Sequence, residues 1–118
     1  MVADVSSQNV GNVAEPFQRV DLKTAQELIA KGDVQLIDVR EPNEYREGHI
    51  PGVTLIPLNT LLDRPQDFLK RDNILFICAM GQRSALACEM AAALGFEQLY
   101  NLEGGTVGWA KAGLPIEK

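Results

Sequence analysis

From Phe17 onward the chain alternates short apolar runs with segments of helical spacing, and that alternation restricts the fold more tightly than any other property of the sequence. Strand patterns occupy residues 17–20, 34–39, 53–56, 73–77 and 98–101, each bounded by turn-forming residues. Between them lie helical stretches. Asp21 is placed to cap a helix whose Leu22, Ala25, Leu28 and Ile29 share one face, and Gly32 ends it. A short helical turn is expected over 43–47, another stretch runs from Pro57 through Leu62, and 63–72 reads as a partly helical connection. The longest helix is expected over 84–94. Strands that alternate with helices pair in parallel through right-handed crossovers, so the expected fold is α/β. It has a mainly parallel central sheet of about five strands with helices on both faces.

In open sheets of this kind, ligands bind beyond the carboxyl ends of the strands. The run Cys78-Ala79-Met80-Gly81-Gln82-Arg83-Ser84 lies there, between the apolar residues 74–77 and the following helix. A helix start offers unpaired backbone N–H groups and the positive end of a dipole, which favour anions and lower a thiol pKa. Gly81 lets the loop curl so that its N–H groups turn inward toward Cys78, and Arg83 adds a fixed cation able to hold an oxyanion. Cys78 is therefore a candidate nucleophile and not simply a small apolar residue closing a buried strand.

A chain of 118 residues is long enough for one core and too short for two. Residues 1–16 are polar, contain glycine and show no sustained period, and are expected to form a flexible tail ahead of a domain over 17–118. A net charge of −5 with no basic cluster argues against nucleic acid or an anionic membrane as partner. The first residues lack a basic start and an apolar core, and no run approaches the length of a membrane span, so a cytoplasmic location is expected. The two cysteines, Cys78 and Cys88, fit neither a CxxC pair nor a four-ligand zinc site, and no metal or cofactor is expected.

Four segments carry a family resemblance. Asp38-Val39-Arg40-Glu41, Gly48-His49-Ile50-Pro51-Gly52, the Cys78 to Ser84 run, and Gly104-Gly105 to Trp109 with Gly113-Leu114-Pro115 stand in an order and spacing that resemble the single-domain rhodaneses, the thiosulfate sulfurtransferase family. The resemblance extends over residues 17–117. It implies a sulfur-transfer cycle in which Cys78 takes sulfur from thiosulfate or a related donor, holds it as a persulfide, and passes it to cyanide, a thiol or a sulfur-accepting protein. Cys78 would be the catalytic residue, with Ala79, Met80, Gly81, Gln82, Arg83 and Ser84 forming the substrate-binding loop.

Other roles stay open at this level. Ser84 is either part of the sulfur site or only a helix N-cap. Asp38 and Arg40 match a supporting motif, and an ion pair holding loops together explains them as well as substrate contact does. His49 is expected to tie a loop down and not to serve as a base, Cys88 to pack in the core, and Trp109 to anchor the last helix. Phosphatases and arsenate reductases with related loops compete for the same motif. Only four residues separate Cys78 from Arg83, one fewer than those enzymes carry, and the tighter ring suits a single sulfur. A persulfide carrier, or a redox or partner-binding module with little thiosulfate activity, is the remaining alternative.

Overall fold

The structure, a computed structural model, describes residues 15–118. The tail expected over 1–16 lies outside the described residues except for Glu15 and Pro16. In chain order the elements are β1 (Gln18–Val20), α1 (Leu22–Lys31), β2 (Gln35–Asp38), α2 (Pro42–Glu47), β3 (Thr54–Leu55), α3 (Leu58–Asp63), α4 (Pro65–Phe68), β4 (Ile74–Ile77), α5 (Gln82–Ala93), β5 (Leu99–Leu102) and α6 (Gly105–Lys111). The strands form one five-stranded sheet in the order β1-β5-β4-β2-β3, with every neighbouring pair parallel. The expected α/β architecture is therefore present.

Local chemistry explains the element ends. The Asp21 carboxylate accepts the Thr24 N–H at 2.8 Å, and Gly32, with φ of +80°, returns its own N–H to the Ile29 carbonyl. A side-chain cap of this kind is worth about 1 kcal/mol. Most strands are a residue or two shorter than their apolar patterns, because pairing stops where the chain bends toward the next helix.

β4 sits in the middle of the sheet and is buried along its whole length. Its side chains divide the core. Ile74 and Phe76 pack on one face with Leu61 of α3 and with Ala87, Cys88 and Ala91 of α5. Leu75 and Ile77 pack on the other with Ala25 of α1 and Trp109 of α6. Helices thus cover both faces, as parallel strands require. Trp109 is 5% exposed and donates its indole N–H to the Pro115 carbonyl at 2.8 Å, which makes it the expected anchor of α6. Cys88 is fully buried against the sheet.

Candidate active site

β4 delivers Cys78 to the carboxyl edge of the sheet, and the chain must then reverse into α5 within a few residues. Gly81 makes that reversal by adopting φ of +97°, a left-handed conformation that costs residues with a Cβ about 1 kcal/mol or more. Because Gly81 is itself the N-cap, α5 begins at Gln82, two residues before its expected start. Ser84 is consequently not an N-cap. It lies in the first turn of the helix, fully buried, with its hydroxyl 3.3 Å from the Cys78 Sγ.

Cys78 is 1% exposed, and its Sγ accepts the Gly81 N–H at 3.1 Å. Burial pushes the Cys78 thiol up, but the Ser84 hydroxyl and the backbone N–H groups of Ser84, Met80 and Gly81 outweigh it and leave the thiol below its ordinary value of 9.0. Cys88 has no such donors, and burial drives it up to about 12. Alkylation by iodoacetamide should therefore select Cys78, with a rate that rises through a midpoint below the ordinary cysteine range. Peptide mapping across a pH series checks this, and a midpoint at or above 9.0 would contradict the cradle.

The loop peptides are also held from outside. In a trans peptide the C=O and the N–H point to opposite sides, so anchoring a carbonyl outside the loop aims the next N–H inward. Thr106 N–H and Val107 N–H at the start of α6 donate to the carbonyls of Cys78 and Ala79 at 2.9 and 3.1 Å. Asn101, at 0% exposure on β5, donates its side-chain amide to the Gly81 carbonyl at 3.0 Å. Three of the loop's carbonyls are thus held from the two elements beside it, fixing the peptides that carry the Ala79, Met80 and Gln82 N–H groups; among the donors to sulfur, this aims that of Met80.

Asn101 also competes for the Ser84 proton. The hydroxyl has one hydrogen and two acceptors in reach, the Asn101 Oδ1 at 2.5 Å and the Cys78 Sγ at 3.3 Å. With the thiol protonated, the nearer amide oxygen takes the hydrogen; once sulfur is ionised, the charged acceptor draws it over. Asn101 has no part in the sequence-level assignment. A polar residue closing an apolar strand pattern was its only visible sign.

Among the other loop residues, Ala79 is half-buried, Met80 is 65% exposed and Gln82 is exposed. Arg83 forms a two-armed ion pair with Glu44 of α2, at 2.8 and 2.9 Å. This bond holds the Glu44 carboxyl well below its ordinary value, at about 2. Asp38 and Arg40 come to the same sheet edge, where their side chains pair in a buried bridge of 2.8 Å. Arg40 also donates to the carbonyls of Gly48 and Glu44, so the pair fastens α2 to the end of β2. His49 stacks on Tyr45, has Nδ1 3.0 Å from that residue's carbonyl, and bridges Glu117 through its backbone. Beside the loop a cleft of about 390 Å³ opens between α2 and α6, lined by Glu44, Glu47, Ala79, Val107, Ala110 and Ile116 among others.

Chemically, the arrangement is a narrow, amide-lined cup around one sulfur, suited to hold a slender anionic atom beyond Sγ. A family model described as rhodanese-like domain matches residues 21–112. The chain is similar to a sulfurtransferase of Allochromatium vinosum, 35% identical over 92 residues that make up 78% of this chain and 86% of that protein. It is 30% identical over 96 residues to the thiosulfate sulfurtransferase GlpE of Pseudoalteromonas translucida, covering 81% of this chain and 91% of the relative. The solved structure of the human single-domain sulfurtransferase TSTD1 matches with a TM-score of 0.70 at 30% identity, over 79% of this chain and 95% of that one.

Proposed function

The chain belongs to the rhodanese-like domain family, and from that membership we propose that it is a sulfurtransferase in which Cys78 carries the transferred sulfur as a persulfide. The Cys78 thiolate attacks the outer sulfur of thiosulfate or a related donor. A Cys78 S–S bond forms, the donor's own S–S bond breaks, and its electron pair leaves on sulfite. The persulfide keeps one negative charge on its terminal sulfur. An acceptor then attacks that sulfur: cyanide leaves as thiocyanate, a thiolate leaves as a new persulfide, and the Cys78 thiolate returns. No electrons enter or leave the cycle.

The observation that carries this reading is the buried Sγ accepting the Gly81 N–H inside a loop whose carbonyls are tied outward. Such fixed N–H groups stabilise charge on the attacking sulfur and on the terminal sulfur of the product, without reorganising during the reaction. They also remove the need for a general base. In this reading Asp38 and Arg40 act on the site through α2, which their bridge positions.

The test is direct. Protein incubated with thiosulfate and analysed by intact-mass spectrometry is expected to gain the mass of one sulfur atom, mapped to Cys78, and cyanide is expected to remove it with release of thiocyanate. An adduct on Cys88, or none with either thiosulfate or an organic persulfide, would overturn the assignment. A second reading, in which the protein is a persulfide carrier and thiosulfate a poor donor, is favoured by the engagement of Arg83 with Glu44.

A further inference from the structure

The loop from Ala79 to Ser84 contains one cation, Arg83, and its guanidinium is already in use. Both of its terminal nitrogens donate to the Glu44 carboxylate, at 2.8 and 2.9 Å. Glu44 is itself fixed in place. It lies in the first turn of α2, accepts the Glu41 N–H at 2.9 Å, and belongs to the helix that the Arg40 to Asp38 bridge holds against the sheet. The guanidinium of Arg40, which also reaches α2, is buried and paired with Asp38.

Two of the five guanidinium N–H groups serve Glu44, whose charge offsets that of Arg83, so a doubly charged donor such as thiosulfate gains little from Arg83 while the pair stands. Its sulfonate oxygens also come beside a partly buried carboxylate, and two like charges at close range oppose each other. A donor that carries its sulfane sulfur on a thiol needs no such cation, because its terminal sulfur is received by the loop N–H groups. We propose that Glu44 is a positioning residue that competes with small oxyanionic donors for Arg83 and so biases the site toward organic persulfides. This rests on the Cys78 persulfide reading and goes beyond it by naming the donor class.

Single-turnover loading of Cys78, followed by quench and intact mass, separates the half-saturating donor concentration from the limiting rate. For Glu44→Gln, the half-saturating concentration of thiosulfate is expected to fall about fivefold, with the limiting rate changed by less than about twofold. For cysteine persulfide both values should stay within about twofold of the parent protein. In the double variant Glu44→Gln, Arg83→Gln the thiosulfate gain should vanish, because it requires a released Arg83. Glu44→Asp keeps the charge and shortens the reach; it gives the same sign at smaller size, and it carries the test if the glutamine variant does not fold. An unchanged or higher thiosulfate requirement, an equal fall for both donors, or a gain that survives without Arg83 would overturn the inference while leaving the Cys78 reading intact. Failure of the parent protein to load from either donor would sink both.

Discussion

Cys78→Ser protein is expected to transfer no sulfur above background, a loss of about 10⁴-fold or more, while keeping its fold. The oxygen that replaces Sγ does not ionise near neutral pH and forms no stable bond to a sulfane sulfur, so both halves of the cycle stop. The surroundings should tolerate the exchange. The position is buried, the side chains are close in size, and the hydroxyl finds the Gly81 N–H and the Ser84 hydroxyl already aimed at it. A change in stability of about 1 kcal/mol or less is expected. Thiocyanate formation from thiosulfate and cyanide, with a thermal melt on the same preparation, checks both statements. Retained turnover would exclude Cys78 as the nucleophile, and a collapse in melting temperature would mean the loss reflects unfolding.

The largest structural effect is expected from Gly105→Ala. Gly105 opens α6 with φ of +58°, and a Cβ there would collide with the backbone carbonyl oxygens of both Cys78 and Ala79. Neither oxygen can yield cheaply, because each accepts an N–H from the same turn, Thr106 to Cys78 and Val107 to Ala79. The left-handed conformation alone costs alanine about 1 kcal/mol, and the overlap forces a backbone shift, for a total of about 3 kcal/mol or more. In a domain of this size that lowers the melting temperature by roughly 10 °C. Because the displaced Ala79 carbonyl shares its peptide with the Met80 N–H, one of the groups that lower the Cys78 thiol pKa, that pKa should also rise toward its ordinary value. Thermal melts and the alkylation midpoint measure the two effects. A variant that melts with the parent and alkylates at the same pH would show that α6 does not hold the loop.

What could be read in the chain before its structure was the part set by local rules. Residues 74–77 form a buried central strand because four apolar residues in a row leave no polar face. Asp21 and Gly32 mark a helix because one accepts an N–H and the other tolerates positive φ. The ordered motifs around Cys78 were enough to indicate the family that the comparisons establish. The start of α5 was expected two residues late because the left-handed Gly81 begins the helix early, a choice that depends on backbone geometry and leaves no periodic signal. Contacts across distant elements were equally hidden. Arg83 and Glu44 lie 39 residues apart in sequence, and Asn101 reaches the loop only because β5 pairs directly with β4. Sheet order brings such residues together, and no window of sequence contains it.

The groups that orient the cradle have a further consequence for how the protein comes into being. Chains are made from the N-terminus, and domains fold as units once their parts are available. Asn101, Gly105, Thr106 and Val107 all follow Cys78 in the chain, so the strand and the cysteine exist well before the groups that hold the loop carbonyls. The bonds that fix these carbonyls arrive only with β5 and the first turn of α6. A chain stopped short of Asn101 lacks them all, and its Cys78 thiol is expected to titrate nearer the ordinary cysteine value than that of the finished domain.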